Sequence, residues 1–252
     1  MSGSGETGTV AGLLAAVSER PLPRHVALIM DGNGRWAQAR GLPRMEGHRQ
    51  GVKAAERLVR FVGEEHVCSH LSLFAFSTEN WNRPREEVHS LFSLLERFVR
   101  DRGDEFVERG VCLRVLGAVE ALPPSLRRAI AETVEKTRGG GTLQLTVGMN
   151  FGGRWSILEG ARRAMALARE GKLDHLDEAG FARLLPTADL PDPDLIVRTG
   201  EEQRISNFYL WEAAYAELCF TATLWPDFDE EALLSAIRDF QGRRRRFGKV
   251  AA

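Results

Sequence analysis

The residues that could carry chemistry begin with one aspartate that follows a short apolar run. Residues 25–30 read HVALIM, which is typical of a β-strand buried on both faces. The next five residues, DGNGR, place Gly32 and Gly34 close behind Asp31. Glycines let the backbone turn tightly and direct its N–H groups at a phosphate, but a carboxylate beside them would repel that phosphate. A divalent cation on Asp31 would bridge the two charges, so the pattern predicts a Mg²⁺–diphosphate site after the first strand.

Side chains that could bind the diphosphates occur in two separate parts of the sequence. The first set consists of Arg35, Arg44 and His48. His48 is expected near the start of a helix, where backbone donors favour anions. Taken singly, Arg44 and His48 are more often ordinary solvated residues. The second set consists of Arg198, Arg204 and Ser206. Two such sets predict two phosphorylated substrates.

A dense polar segment at residues 77–84, STENWNRP, follows the second predicted strand. Trp81 within it needs an apolar surface to rest on, which a hydrocarbon chain or a partner would supply. Asn80 and Arg83 could then reach the reacting end of that ligand. Far along the chain, Glu217 is a second candidate Mg²⁺ ligand, although a single acidic residue is otherwise more often solvated or ion-paired.

The segment GNGRWA at residues 32–37 also matches the G-x-G-x-x-G/A pattern of dinucleotide-binding folds. That fold needs an acidic residue at the end of a second strand about 20 residues later. Glu56 has the spacing but falls inside a predicted helix. The dinucleotide interpretation is therefore disfavoured.

Apolar periodicity predicts the elements that must position these residues. Strands are expected at residues 25–30, 71–76, 111–116, 143–149, 194–197 and 216–221, and helices at about 47–64, 84–107, 124–136, 154–170, 178–184 and 229–245. This alternation predicts a single α/β domain, with a central, mostly parallel six-stranded sheet and helices on both faces. In such sheets ligands bind beyond the carboxyl ends of the strands, where the polar segments would converge.

Composition sets broader bounds. The chain has 252 residues, a net charge of −1 and three cysteines, so no global basic field favours nucleic acid, and reduced thiols in a cytoplasmic protein are expected. No apolar run reaches the ~18 residues that span a bilayer. We expect residues 1–23 to form a flexible N-terminal tail that leads into a short helix, 24–248 the catalytic domain and 249–252 a C-terminal tail.

Five motifs carry a resemblance to a known family: HVALIMDGNGRWA, FAFSTENWNRP, MNFGGRW, RTGEEQRISNFYLW and AYAELCFTATLWPDF. In identity and order they resemble the cis-prenyltransferases, the undecaprenyl diphosphate synthase family, over about residues 24–248. The resemblance implies a homodimeric α/β enzyme that extends an allylic diphosphate with isopentenyl diphosphate, using Mg²⁺. It also implies a product of undecaprenyl type, and it leaves open a membrane contact for product release.

The resemblance assigns roles by position. Asp31 and Asn80 would be catalytic, and Asp31 and Glu217 would hold the metal. Substrate-binding residues would be Gly32, Asn33, Gly34, Arg35, Trp36, Arg44, His48, Ser77, Thr78, Glu79, Trp81, Arg83, Arg198, Arg204, Ile205 and Ser206. Arg246 to Gly248 resemble a C-terminal R-x-G that reaches the partner subunit's substrate.

Some positions depart from the family pattern, among them Glu201, Gln203 and Ser156, without removing a principal charged ligand. Leu143 falls where the family uses residue size to stop elongation. The rival interpretation, a non-catalytic isoprenoid-binding subunit, fits less well because such subunits typically lose the metal aspartate and the glycine segment.

Overall fold

Six parallel strands form the centre of the protein, whose computed structural model describes residues 9–244. They are β1 (His25–Ile29), β2 (His70–Ser77), β3 (Val111–Leu116), β4 (Leu143–Phe151), β5 (Leu195–Arg198) and β6 (Glu217–Phe220). Their order across the sheet is β3-β4-β2-β1-β5-β6, and every neighbouring pair is parallel. The predicted single-domain α/β fold with a parallel six-stranded sheet is confirmed.

Helices flank the sheet along the chain. They are α1 (Val10–Ser18), α2 (Asn33–Gln38), α3 (Arg44–Glu65), α4 (Arg85–Asp101), α5 (Gly103–Glu108), α6 (Pro124–Thr137), α7 (Gly153–Arg169), α8 (Glu178–Ala182) and α9 (Glu230–Gly242). α1, which falls within the N-terminal segment expected as a tail, packs on α9, where Gln241 Nε2 donates to Val17 O at 2.8 Å. No helix among residues 9–244 is long and apolar enough to cross a membrane.

Successive residues of the strands pack alternately into two hydrophobic cores, one on each face of the sheet. Val26 and Leu28 belong to the larger core with α3, α4, α6 and α9, whereas Ala27 and Ile29 belong to a smaller one with Phe151. All five residues of β1 are buried. This explains the nearly continuous apolar run, because a parallel strand between helical layers has no solvent face.

Two element boundaries differ from the prediction in ways that matter for the site. The expected helix at 84–107 is two helices, which meet at Arg102 and Gly103, where glycine's low helix propensity favours a break. The expected glycine loop is instead a tight turn at Gly32 (φ +108°) that leads directly into α2.

α2 lies unusually close to α3. A Cβ on Gly47 would stand 1.9 Å from Asn33 O, and one on Gly51 would stand 2.1 Å from Asn33 Oδ1. Both glycines are therefore required for this approach. The packing places α2 and its preceding aspartate at the same end of the sheet as the start of α3.

Candidate active site

A polar cleft of about 660 Å³ lies at the carboxyl ends of β1, β2, β4 and β5. The strand order switches between β1 and β5: the chain runs from β1 to β2 on one side and from β5 to β6 on the other. Ligands usually bind at such a switch point in these folds. Of the predicted site residues, the cleft is lined by Asp31, Asn33, His48, Ser77, Glu79, Asn80, Arg83, Arg198, Arg204 and Ser206. The predicted convergence of these polar segments is confirmed.

Asp31 is where the two cationic sets meet. Its Oδ2 accepts a hydrogen bond from Arg198 Nη2 at 2.9 Å and lies 3.3 Å from Arg35 Nη2. Its Oδ1 accepts the Gly32 N–H at 2.6 Å, and its own N–H donates to Thr199 Oγ1 at 2.9 Å. Hydrogen bonds thus fix both the backbone and the side chain of Asp31, and its carboxylate lies between the guanidinium groups of Arg198 and Arg35.

A second carboxylate, Glu87, binds Arg44 and His48 of the first cationic set together with Arg83. Its Oε1 accepts from Arg44 Nε at 3.1 Å, from Arg83 Nη1 at 3.1 Å and from His48 Nε2 at 3.3 Å. Burial opposes ionisation of Glu87, but the contributions of Arg44, Arg83 and His48 together outweigh it and lower its pKa. Glu87 was not among the site residues predicted from the sequence, although its position four residues after Arg83, at the start of a helix, was a usable signal.

Burial keeps His48 neutral. Desolvation and the nearby charge of Arg83 lower its pKa, against the opposing effect of Glu87. It lies in the second turn of α3 and is 8% exposed, so it is not the solvated residue that its sequence alone favoured. A neutral imidazole N–H can donate to Glu87 or to a phosphate oxygen.

Arg198 organises the second set from a buried position at the end of β5. Its Nη1 donates to Ser206 Oγ at 2.5 Å and to Arg204 O at 2.6 Å. Its Nε is buried with no acceptor among the described residues. An unsatisfied buried donor is costly, and an anionic oxygen in the cleft would satisfy it. The donor geometry fits a diphosphate.

The segment that carries Ser206 is held in an uncommon backbone conformation. Ser206, Asn207 and Tyr209 all have positive φ, at 48°, 65° and 47°. Tyr209 is buried, and its hydroxyl donates to Ser72 Oγ at 2.9 Å, which in turn donates to His25 Nε2 at 2.8 Å. This buried chain of hydrogen bonds fixes the segment, since such conformations persist only where the surroundings determine them.

Asn207, which was also not among the site residues predicted from the sequence, joins three loops of the cleft. Its Nδ2 donates to Glu79 Oε1 at 2.8 Å, and its Oδ1 accepts from Arg154 N at 2.9 Å. Its carbonyl accepts from Gly153 N at 2.6 Å. The residue therefore ties the ends of β2 and β4 to the segment after β5.

The polar segment after β2 is a 3₁₀ helix rather than a loop. Asn80 Oδ1 accepts the Ser77 N–H at 3.0 Å and caps this turn. Trp81 donates to Asn150 Oδ1 at 2.8 Å, and its ring packs edge-on against Phe76 and Phe92. The apolar surface expected from a ligand is therefore supplied by the protein itself, although Trp81 remains 41% exposed.

Several predicted site residues lie outside the lining of the cleft. Trp36 Nε1 donates to Asp227 Oδ1 at 2.7 Å, and its ring lies under Arg40. Ile205 packs against the smaller core rather than facing the cleft. Thr78, Trp81, Gly32, Gly34, Arg35 and Arg44 also fall outside the lining, but Gly32 and Arg35 contact Asp31, and Arg44 contacts Glu87.

The structure does not bring the two predicted metal ligands together. Glu217 begins β6 and is in register with Leu195 and Val26, at the amino end of the sheet, where it pairs with Arg243 at 3.0 Å. Asp31 follows the carboxyl end of β1. Sequence order alone did not show to which end of its strand Glu217 belongs. Arg246 lies outside the described residues.

Asp31 by itself fits the way proteins bind Mg²⁺. This ion commonly uses one or two carboxylates together with substrate phosphates and waters. Among residues 9–244 no three acidic, histidine or cysteine side chains cluster as a metal cage would require. A carboxylate about one-third exposed at the mouth of a cationic cleft suits an ion shared with a diphosphate.

An apolar cavity of about 80 Å³ continues from the polar cleft between α3 and α4. The two spaces share the walls formed by Met30, Asn33, His48, Phe74, Ala75 and Leu91. Beyond them the walls become wholly apolar, with Val52, Ala55 and Leu95. The arrangement suits a molecule with a diphosphate at one end and a hydrocarbon at the other.

Comparison with known proteins agrees with this geometry. The family model for undecaprenyl diphosphate synthase matches residues 29–248. The chain belongs to the undecaprenyl diphosphate synthase family of cis-prenyltransferases. An isoprenyl transferase of Heliobacterium mobile is 45% identical over 98% of this chain and 96% of its own length. That of Aquifex pyrophilus is 46% identical over 91% of this chain and 97% of its own. The chain is accordingly a transferase of prenyl groups.

Solved structures show the same fold. Lavandulyl diphosphate synthase from Lavandula x intermedia, in complex with dimethylallyl diphosphate, is 34% identical with a TM-score of 0.87, covering 90% of this chain and 98% of that one. A probable undecaprenyl diphosphate synthase from Campylobacter jejuni is 36% identical with a TM-score of 0.75, covering 91% and 100%.

Proposed function

We propose that this prenyltransferase condenses isopentenyl diphosphate with an allylic diphosphate to form a cis-polyprenyl diphosphate. Farnesyl diphosphate is the expected primer, and the product is of undecaprenyl type, a lipid-carrier precursor for cell-wall synthesis. The observation that carries the proposal is the polar cleft, with two cationic sets meeting at Asp31, that opens into an apolar cavity. An allylic diphosphate matches both parts at once.

The contacts support a separate position for each substrate. His48 lines both the polar cleft and the apolar cavity, and Glu87 joins it to Arg44 and Arg83. These three side chains would bind the allylic diphosphate. Arg198, whose guanidinium binds Asp31, would hold isopentenyl diphosphate together with Arg204 and Ser206. Planar guanidiniums suit this role because they contact two phosphate oxygens at once.

The reaction follows from these charges. The bond between the allylic C1 and its diphosphate breaks, the isopentenyl double bond supplies the electron pair of the new carbon–carbon bond, and a proton leaves the isopentenyl C2. The arginines stabilise negative charge as it grows on the departing diphosphate. Bound Mg²⁺ would add Lewis-acid stabilisation of the same charge, with Asp31 as its protein ligand.

Asn80 has a positioning role in this scheme. A neutral amide is a poor base, and its oxygen already accepts the Ser77 N–H. We assign the departing proton to a diphosphate oxygen, which Asn80 and Ser77 help to orient.

We also propose a homodimer in the cytoplasm that releases its product at a membrane surface. β6 is an edge strand, and Tyr215, Leu218 and Phe220 around it are 66%, 36% and 36% exposed. Such an apolar edge is unusual on a monomer and favours burial against a second copy. Light scattering after size exclusion should give twice the chain mass of 28.1 kDa; a monomer at micromolar concentration would contradict the dimer.

The decisive experiment supplies radiolabelled isopentenyl diphosphate, farnesyl diphosphate and Mg²⁺. We expect butanol-extractable polyprenyl products that disappear when a chelator is added and return with excess Mg²⁺. A protein that binds farnesyl diphosphate but forms no product would instead be the non-catalytic isoprenoid-binding subunit, and the proposal would be wrong.

A further inference from the structure

Tyr209 does not line the polar cleft, although it follows Ser206 by only three residues. Its side chain is 1% exposed and belongs to the smaller core. Its hydroxyl lies 2.9 Å from Ser72 Oγ, which lies 2.8 Å from His25 Nε2. Ser72 is the third residue of β2 and His25 the first residue of β1. The segment after β5 is therefore anchored, through one hydroxyl, in the amino-terminal half of the sheet.

The protonation of His25 sets the direction of every hydrogen bond in this chain. Its Nδ1 lies 2.7 Å from Pro191 O, and a carbonyl oxygen only accepts, so Nδ1 carries the proton. Burial lowers the pKa of His25, which keeps the ring neutral and leaves Nε2 as an acceptor. Ser72 must then donate to Nε2, and Tyr209 must donate to Ser72. The chain of hydrogen bonds therefore requires a hydroxyl donor at position 209.

The anchored segment adopts a backbone conformation that its own residues disfavour. Ser206, Asn207 and Tyr209 all have φ in the left-handed region, which residues other than glycine rarely adopt. Asn207 is held at the rim of the cleft by its hydrogen bonds to the neighbouring loops. In the core, Phe208 stacks on Phe74 with ring centroids 4.3 Å apart. Stacked rings can slide past one another, so the hydroxyl of Tyr209 is the directional contact on the core side.

This segment supplies two acceptors to the guanidinium of Arg198. Arg198 Nη1 donates to Ser206 Oγ at 2.5 Å and to Arg204 O at 2.6 Å. Its Nη2 donates to Asp31 at 2.9 Å, and its buried Nε has no acceptor among residues 9–244. A shift of Ser206 would remove one of the contacts that orient this guanidinium. The conformation of the segment thus determines where the donors for one diphosphate point.

We propose that Tyr209 is a positioning residue for isopentenyl diphosphate, an inference that rests on the proposed function. Its hydroxyl, held by Ser72 and His25, keeps the segment in the conformation that binds this substrate. When only a fraction of the protein has the binding conformation, the apparent dissociation constant rises in inverse proportion to that fraction. Loss of the hydroxyl should therefore weaken the binding of isopentenyl diphosphate and leave the set around Glu87 unaffected.

Tyr209→Phe tests the proposal because it keeps the ring and removes only the hydroxyl. We expect KM for isopentenyl diphosphate to rise about threefold to tenfold, the range that one lost hydrogen bond gives. KM for farnesyl diphosphate should stay within about twofold of the wild-type value. Ser72→Ala should have the same selective effect. Because both variants break one chain, the double variant should raise KM by less than the product of the two single effects.

Thr137→Val is the matched control for the loss of a buried hydroxyl. Thr137 is 1% exposed, and its hydroxyl donates to Thr133 O at 2.8 Å and accepts from Leu113 N at 3.1 Å. It does not line the polar cleft. The variant should have a lower Tm, as a structural hydrogen bond requires, but wild-type KM values for both substrates.

Three results would overturn the inference: an unchanged isopentenyl KM in Tyr209→Phe, equal rises in both KM values, or single effects that multiply in the double variant. Calorimetric titration with isopentenyl diphosphate gives the same comparison of Tyr209→Phe with the wild type in the absence of turnover. A wild-type protein that binds this diphosphate more tightly than the variant but forms no polyprenyl product would support the positioning role and overturn the proposed function alone.

Discussion

Two carboxylates, Asp31 and Glu87, hold the guanidinium groups of the site in position before any substrate arrives. Asp31 fixes Arg198 and Arg35, and Glu87 fixes Arg44 and Arg83. An arginine side chain carries about 2 kcal/mol of rotamer entropy, much of which is already lost in these pairs. Diphosphate binding therefore orders fewer groups than the length of the side chains suggests.

Replacing Asp31 with asparagine tests its part in catalysis. The variant removes the proposed metal ligand and leaves Arg198 and Arg35 without their counter-charge, so we expect kcat to fall about 10²–10³-fold. Asp189→Asn, at a carboxylate 85% exposed, is the matched control and should keep wild-type turnover. An Asp31→Asn enzyme with unchanged kcat would refute the assigned role.

Glu87→Gln separates the two substrate positions. Without the carboxylate, Arg44, Arg83 and His48 lose their shared acceptor charge, and we expect KM for the allylic diphosphate to rise about tenfold, equivalent to about 1.4 kcal/mol. KM for isopentenyl diphosphate should stay within about twofold of the wild-type value, since Arg198 is held elsewhere. Glu86→Gln, the exposed neighbour on the same helix, is the control. Equal rises in both KM values would argue against separate positions.

At the scale of elements, α3 depends on two glycines that admit α2. Gly47→Ala should improve helix propensity by up to about 1 kcal/mol, but the new Cβ would overlap Asn33 O. We expect net destabilisation of about 1–3 kcal/mol and a lower Tm in calorimetry. Gly139→Ala, where a Cβ meets nothing within 4 Å, should leave Tm nearly unchanged. A stabilised Gly47→Ala variant would show that α2 moves without cost.

Apolar periodicity was sufficient to predict all six strands, but it did not predict the short helix α2 or the break between α4 and α5. β3 was predicted with its observed bounds because turns flank a run of alternating buried residues. α2 was not predicted because its six residues, NGRWAQ, are too few to show a helical repeat of apolar residues. Glu87 and Asn207 were missed because each acts through partners that are distant in sequence. Within one chain Glu217 lies at the opposite end of the sheet from Asp31, and sequence order alone does not reveal this strand register.

At the scale of the whole molecule, buried histidines make stability depend on pH. Burial lowers the pKa of His25 to about 4 from an ordinary value of 6.5. Between these values the unfolded chain takes up a proton that the folded protein does not, so the free energy of unfolding falls as pH falls from 6.5 to 4. Over that window His25 alone accounts for about 3 kcal/mol.

His25→Gln should flatten this dependence. We expect urea unfolding at pH 7, 6 and 5 to show a smaller loss of stability per pH unit in the variant than in the wild type, whatever its stability at pH 7. His48 and His70, whose pKa values burial also lowers, leave a residual slope of the same sign. His175→Gln, at an exposed site, should retain the full wild-type slope. Identical slopes in all three proteins would exclude His25 as the source.

α3 extends over 22 residues, about 33 Å, as one continuous rod. Its second turn carries His48, which would meet a bound diphosphate, and its following turns line the apolar cavity with Val52 and Ala55. The affinity for a diphosphate and the space for a hydrocarbon consequently both depend on the position of α3. A ligand that shifts α3 when it binds at one end would change the binding of a second ligand at the other end, and the coupling free energy would be the same in both directions. We therefore expect substitutions in α3 that change the space for a hydrocarbon to change diphosphate affinity as well.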